Sequence, residues 1–270
     1  MRPGEYEAMF AVEDRHWWYV GLHREIAQRL QRFARDRAQS LQELRILDAG
    51  CGTGGLLAHL RRISGSGQRE APSRGQGWTV GVDLAWEGLT RSRSRGLPRL
   101  SQGMIEALPF QASVFDVVTS LDVLYHEGVD ERRALREMAR VLVPGGIVVL
   151  QVPAFEWLRS EHDAAIATRR RYTRREVERL LREAGFTVRW SGYRNALLFP
   201  VAAPLRLLKR HRRFAQDARS DVAPLPTALN SLLTQIVRLE ASLAARAVRF
   251  PFGLSVFCVG ERPVHPQAYA

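Results

Sequence analysis

Between residues 44 and 193 the chain alternates short apolar runs with amphipathic stretches. The runs "LRILDAG" (44–50), "WTVGVD" (78–83), "VFDVVTS" (114–120) and "IVVLQVP" (147–153) predict buried strands. The segments between them, "GLLAHLRRI" (55–63), "WEGLTRSRSRG" (86–96) and "DERRALREMARVL" (130–142), have helical spacing, the last with Leu135, Met138 and Val141 or Leu142 on one face. "PGG" (144–146) predicts a turn, and "SGSGQREAPSRGQG" (64–77) a polar loop or insertion. A further helix over 173–185 starts at Thr173, with Glu176 completing a capping box and Gly185 ending it. "FTVRWSGY" (186–193) alternates as a half-buried strand, and "LSVFCVGER" (254–262) is the last strand. Strands alternating with helices predict an α/β fold, a mostly parallel sheet covered on both faces. Residues 194–253 break this rhythm with a Pro-broken apolar stretch (195–208), a basic cluster (206–213) and a long helical pattern (228–248). That apolar stretch is too short to span a bilayer.

Composition narrows the setting. At 270 residues and 46% hydrophobic, the chain can bury a sizeable core. Its two cysteines, Cys51 and Cys258, lie far apart, which argues against a disulfide framework and for a reducing, cytoplasmic compartment. No Cys/His spacing suggests zinc, so no metal is expected, and the N-terminus lacks the apolar core of a signal peptide. Of the net charge of +12, residues 159–213 carry +10. Such a concentration suits phosphate, an anionic membrane face or nucleic acid, and equally a solvated arginine-rich surface.

The chemistry begins at "ILDAGCGTGG" (46–55). Glycines after a strand and before a helix let backbone approach a ligand. A P-loop would need Lys-Ser/Thr after the glycines, and the chain reads "GTGGLLAHL". Gly50, Gly52 and Gly55 fit the spacing of a dinucleotide loop, but Asp48 would then stand beside a pyrophosphate, at a cost of several kcal/mol for an effective dielectric of roughly 20. S-adenosylmethionine removes that conflict, because it carries an ammonium and a sulfonium and no phosphate. Asp83, at the end of "VGVD", is placed to bind ribose hydroxyls. It follows Gly52 at a longer interval than usual, and the polar stretch 64–77 accounts for the excess.

With "LDAGCGTGG", "VGVDLAWEGL", "GMIEALPFQASVFDVVTSLDVLYH" and "EMARVLVPGGIVVLQVP" in this order, residues 44–153 resemble the class I S-adenosylmethionine-dependent methyltransferases. The resemblance implies a Rossmann-like seven-stranded sheet whose last strand runs antiparallel, with a helical insertion before it. It implies a domain over 44–193 plus 254–262, a helical cap segment over 1–43, and an insertion over 194–253 serving as acceptor or membrane-surface region. It also implies a cofactor site of Asp48, Ala49, Gly50, Gly52, Gly54, Asp83, Leu84, Met104, Ile105 and Leu121. Met104 departs from the family, which often has an acid there for the adenine amino group. Met104 would pack on the adenine face, leaving the backbone N–H of Ile105 to read the ring. "HWWYVGLHREI" (16–26) resembles the N-terminal segment of a bacterial subgroup in which such residues close the cofactor site, with Arg24 placed to meet the methionine carboxylate.

Methyl transfer needs in-line placement, and a general base only where the nucleophile must lose a proton. The candidate base is His126, just past the third long strand, with Asp122 and Tyr125 as neighbours, and His162 with Asp163 as a second pair. His162, Arg171 and Tyr172 are the candidate acceptor-binding residues. Arg169 to Arg171 suggest an anionic acceptor, a small molecule or a lipid-linked glycan, and the apolar stretch beside Lys209 and Arg210 suggests peripheral membrane contact. RNA is the competing acceptor, although no appended RNA-binding domain or Asn/Asp-Pro-Pro-aromatic motif is present. A non-catalytic scaffold that keeps the cofactor site is a third reading. The number of subunits is left open by the sequence.

Overall fold

The computed structural model describes residues 4–65, 76–160, 163, 166–211, 225–246 and 248–264. Seven strands, β1 (Arg45–Ala49), β2 (Trp78–Asp83), β3 (Leu100–Gln102), β4 (Phe115–Leu121), β5 (Leu142–Pro153), β6 (Thr187–Arg194) and β7 (Ser255–Glu261), form one sheet in the order β3-β2-β1-β4-β5-β7-β6. Neighbours from β3 through β5 are parallel, and β7 runs antiparallel to both β5 and β6. The mostly parallel sheet expected from the alternation, and the seven strands with an antiparallel last strand that the family resemblance implies, are the fold observed.

The central strands are apolar at consecutive positions because both faces are covered. Leu47, Val118 and Val148 point to one side, onto α5 (Glu131–Val141) and α6 (Arg174–Glu183) through Leu135, Met138 and Leu181. Ile46, Val117 and Val149 point to the other, onto α2 (Trp17–Asp36) and α3 (Gly55–Ser64) through Leu22, Ile26, Leu30 and Leu56. Each such side chain contributes about 1.5–3 kcal/mol on full burial. α6 begins as its sequence predicts, with Thr173 N donating to Glu176 Oε2 at 2.7 Å and Glu176 N to Thr173 Oγ1 at 3.4 Å.

Two local features differ from expectation. β3 has only three residues, "LSQ", too few for a periodic signal, and is held by pairing with β2. "PGG" is not a free turn but a bulge inside β5. Phe115 pairs with Leu142 and Val117 with Ile147, so the extra residues loop out between them. Gly145 N donates to Arg262 O at 2.7 Å and ties this bulge to the end of β7.

Of the remaining helices, α1 (Glu5–Val12), α4 (Trp86–Ser94), α7 (Phe199–His211) and α8 (Thr227–Ala245), α4 packs beside β2 and β3 and α1 packs on α4. α7 continues through Pro204, which is exposed, so water can solvate the carbonyl that the missing N–H leaves free. Val201, Leu205 and Leu208 on α7 are exposed. Among the described residues no helix is long and apolar enough to cross a membrane. α8 packs on α2, where a Cβ added at Gly21 would lie 2.6 Å from Val237 Cγ2, so glycine sets the approach of the two helices. Asn230 of α8 also caps α2. Its Oδ1 accepts from Trp17 N at 2.9 Å, and its Nδ2 donates to Arg15 O at 2.9 Å.

Candidate cofactor and acceptor site

The strand order reverses between β1 and β4, which opens a crevice beyond their carboxyl ends. Asp48 stands there on β1, 3% exposed, accepting from Thr119 Oγ1 of β4 at 2.7 Å. Burial pushes its carboxyl up to about 7, partly offset by the Thr119 bond and reinforced by the charges of Glu13 and Asp83. No basic side chain of the described residues bonds to it. Gly50, at φ +89°, and the next residue, Cys51, both donate to Val82 O, at 2.7 and 2.9 Å. A side chain at position 50 would overlap Val123, so the loop is open to backbone only. Gly52 and Gly54 follow in left-handed conformations, and Gly54 N donates to Cys51 O ahead of α3. Cys51 itself is buried, with its thiol pushed far up by desolvation.

Asp83 faces this loop from β2. Its Oδ2 accepts from Gly52 N at 2.8 Å, and its Oδ1 from Ala85 N at 2.9 Å and Tyr6 Oη at 3.3 Å. Beside it Leu84 and Met104 are exposed, at 63% and 49%. Ala49 and Ile105 are buried and Leu121 is half-buried. The residues expected around the cofactor therefore converge at the ends of β1 to β4, with an apolar slot next to the second acid.

The wall above the loop was not foreseen residue by residue. α1 lies over it. Tyr6 reaches Asp83, and a Cβ at Gly52 would lie 2.8 Å from Met9 Cε. Glu13 accepts from Thr53 Oγ1 and pairs with Arg95 at 3.1 Å, while Arg95 Nε donates to Thr53 O at 2.8 Å. Burial raises the Glu13 carboxyl, opposed by the Thr53 bond and the Arg95 charge. The signal available in sequence was the pair Tyr6 and Glu13 within "EYEAMFAVED", an acidic stretch ahead of the aromatics. Of the "HWWY" residues, His16 caps α2, its Nδ1 accepting from Trp18 N at 3.4 Å, and Tyr19 is buried. Arg24 is exposed, while His23 on the same helix is buried against His59, ring centroids 5.9 Å apart.

The other half of the crevice holds a polar chain. Asp122, just past β4 at φ +57°, accepts from Gln151 Nε2 at 2.6 Å. Gln151 Oε1 accepts from Arg194 Nη1 at 2.6 Å, and Arg194 Nε donates to Glu25 Oε2 at 2.6 Å. Desolvation raises the Asp122 carboxyl to about 7, with Gln151, Arg194 and Arg171 opposing. The same carboxylate raises the buried phenols of Tyr19 and Tyr125, whose shifts are due first to burial. Side-chain exposure at Arg194 and Glu25 is 4% and 5%. Glu25→Ala should cost about 3–5 kcal/mol in chemical denaturation, because it leaves Arg194 without its nearest carboxylate.

The acceptor-side residues chosen from sequence fare differently. His126 is half-buried, with Nδ1 2.9 Å from Ile166 O, and its backbone bridges to Thr168. Desolvation lowers its pKa, opposed by backbone hydrogen bonds. Arg171 is a correction. It is 5% exposed, with Nε and Nη2 donating to Asp163 at 2.8 and 2.9 Å and Nη1 to Ala154 O at 3.1 Å, so its donors face inward. Tyr172 is a second correction. It is 1% exposed, its hydroxyl donating to Glu131 Oε2 at 2.6 Å, and it belongs to the core. Arg169 and Arg170 also pair with Glu131, at 2.8 and 3.1 Å. His162 lies outside the described residues. Among the described residues no group of three or more His, Cys, Asp or Glu side chains is placed to hold a metal.

Residues 47–150 match the family model described as "Methyltransferase domain". The chain is similar to human "Probable tRNA methyltransferase 9B", 36% identical over 124 residues, covering 44% of this chain and 24% of that protein. It is also similar to the ubiquinone/menaquinone biosynthesis C-methyltransferase UbiE of Vibrio parahaemolyticus, 35% identical over 144 residues, covering 50% of this chain and 52% of that protein. The chain thus spans a quarter to about half the length of these relatives. Among solved structures, the complex of the Haloferax volcanii Trm112 methyltransferase activator with a methyltransferase contains a chain similar in fold, with TM-score 0.57 and 22% identity, covering 97% of this chain and 94% of that one. The sarcosine dimethylglycine methyltransferase of Galdieria sulphuraria is similar in fold as well, with TM-score 0.52 and 17% identity over 83% and 80%. Residues 47–150 thus match a methyltransferase domain, the whole chain shares its fold with methyltransferase structures, and the group expected at the site from the sequence is S-adenosylmethionine. The site fits that group, because Asp48 offers a desolvated carboxylate lacking a cation and the glycine loop leaves backbone space beside it.

Proposed function

We propose that the chain transfers a methyl group from S-adenosylmethionine to a small-molecule acceptor. The observation that carries this is Asp48, buried and without a basic partner among the described residues at the end of β1, beside a glycine loop whose other flank is Asp83. Bound S-adenosylmethionine supplies a methyl group on a positively charged sulfur. Asp48 would hold the ammonium at the methionine end and Asp83 the ribose hydroxyls, with Tyr6 bonded to Asp83 Oδ1, and Leu84 and Met104 would offer apolar surface to the adenine. Holding nucleophile and methyl in line supplies most of the acceleration.

Where the nucleophile carries a proton, Asp122 rather than His126 is the group we place to accept it. Asp122 follows β4 at the crevice, titrates near 7, and is oriented by Gln151, whereas the Nδ1 of His126 is held at Ile166 O. A lipid-linked anionic acceptor and contact with an anionic membrane stay within this proposal. They are supported by the exposed Val201, Leu205 and Leu208 of α7 and the basic residues that follow in sequence.

The test is calorimetry with S-adenosylhomocysteine, followed by assay of S-adenosylhomocysteine release with phenolic, amine and prenylated acceptors and with tRNA. Micromolar binding and turnover on a small acceptor are expected. No binding at millimolar ligand sinks the enzyme, and turnover on tRNA alone replaces the acceptor. The tRNA arm is included because one of the similar proteins is named a tRNA methyltransferase.

A further inference from the structure

The net charge of +10 over residues 159–213 is largely neutralised where it is described. Arg159 pairs with Glu156, Arg179 with Glu183, Arg182 with Glu178 and Arg189 with Glu261. The inward pairs of Arg169, Arg170, Arg171 and Arg194 are given above. Arg175 breaks this pattern, for its exposed side chain makes no ion pair among the described residues. It lines a cavity of about 490 Å³ with Thr173, Arg174, Tyr193, Arg249, Phe250 and Pro251. Arg249 is likewise exposed and without an ion pair among the described residues. Arg174 has its nearest carboxylate, Glu178, only at 3.7 Å, and Glu178 already accepts from Ser191 and Arg182.

Three guanidinium-bearing residues therefore frame one cavity that no acid among the described residues lines. Converging like charges repel, and an anion with several oxygens relieves that repulsion while offering acceptors that match the guanidinium fork. The start of α6 does not supply the attraction by itself. Glu176 N is taken by Thr173, and Arg174 N donates to Tyr193 Oη at 3.2 Å. The Tyr193 hydroxyl keeps its own hydrogen to donate.

The cavity floor continues into an aromatic shelf. The Tyr193 ring stacks on Phe155 with centroids 4.9 Å apart, and Phe155 on Trp157 at 5.7 Å. Trp157 and Phe252 are exposed, at 45% and 41%. Tyr193 lies on β6, three strand spacings from β4, roughly 14 Å at the usual inter-strand distance. The cavity thus lies away from the glycine loop and Asp48, at the β6 edge of the sheet.

We propose that the cavity framed by Arg174, Arg175 and Arg249 binds a phosphate-class anion. The anion is either free phosphate or the head of an amphiphile whose apolar body lies on Trp157 and Phe252. Binding there is independent of which acceptor is methylated. It is tested by calorimetric titration of the full chain at low salt with inorganic pyrophosphate and with octyl phosphate below its micellar concentration.

Saturable binding is expected. The double variant Arg175→Gln with Arg249→Gln should weaken it at least tenfold, while S-adenosylhomocysteine affinity, as the check on folding, stays within twofold. Arg175→Lys with Arg249→Lys, which keeps the charge and the surface, should lose a smaller share. Octyl phosphate binding tenfold tighter than pyrophosphate, with the difference erased by Trp157→Ala, assigns the anion to an amphiphile. Equal affinities assign it to a free phosphate. No binding of either probe at millimolar concentration, or binding unchanged in the Gln variant, overturns the proposal.

Discussion

Asp48→Asn should weaken S-adenosylmethionine binding by roughly 30- to 1000-fold, the range for truncating one partner of a buried charge pair, about 2–4 kcal/mol. The substitution keeps the size of the side chain and its contact with Thr119, so the loss reads the charge. The wild-type affinity should also depend on pH. The carboxyl titrates at about 7, and cation binding requires the ionised form. Affinity should rise as pH climbs through 7 and fall by up to tenfold per unit below it. The amide removes that slope. Stability runs the other way. With its folded pKa raised from the usual 3.8, Asp48 contributes most at pH below about 4, and that contribution is lost as pH rises to 7. The ligand-free Asp48→Asn variant should therefore melt higher than wild type at pH 8. Equal affinity in the two proteins across pH 6–8 removes Asp48 from the site.

Asp122→Asn should lower turnover by roughly 10²–10⁴ while cofactor affinity stays within a few-fold, the size expected for losing a general base. The wild-type rate should rise with pH through about 7, where Asp122 ionises, and the variant should lose that limb. Gln151→Leu gives an independent reading. The Gln151 bond lowers the Asp122 pKa, so its loss should move the limb to higher pH without abolishing activity. Unchanged turnover in Asp122→Asn would show that the nucleophile arrives without a proton to lose, or loses it elsewhere.

The sheet was legible because its central strands are buried on both faces, and Ile46-Leu47 of β1, Val117-Val118 of β4 and Ile147 to Leu150 of β5 carry that burial as consecutive apolar residues. β3 was illegible for the opposite reason, since three residues paired to one neighbour have no period. The positions of Asp48, the glycine loop and Asp83 were readable because they sit at strand ends, where local pattern fixes position. Tyr6, Glu13, Gln151 and Arg194 were not, because their partners lie 29 to 169 positions away and only tertiary packing brings them together. The arginine run misled in a specific way. Sequence counts charge but not pairing, and Arg169 to Arg171 spend theirs on Glu131 and Asp163.

The cap that Asn230 places on α2 sets an order of assembly. Trp17 N finds its acceptor 213 residues later in the chain. During synthesis the strands β1 to β5 can pair while α8 is still unmade, but the start of α2 has no cap from Asn230 until then. α1, which carries Tyr6 and Met9, leads through Glu13 directly into that start. The roof of the cofactor crevice thus has two kinds of anchor: its own bonds to Asp83, Thr53 and Arg95, and the Asn230 cap at the start of α2, a contact of high sequence separation. A chain stopped before residue 230 would lack that cap, and with it β7, the strand that joins β6 to the rest of the sheet.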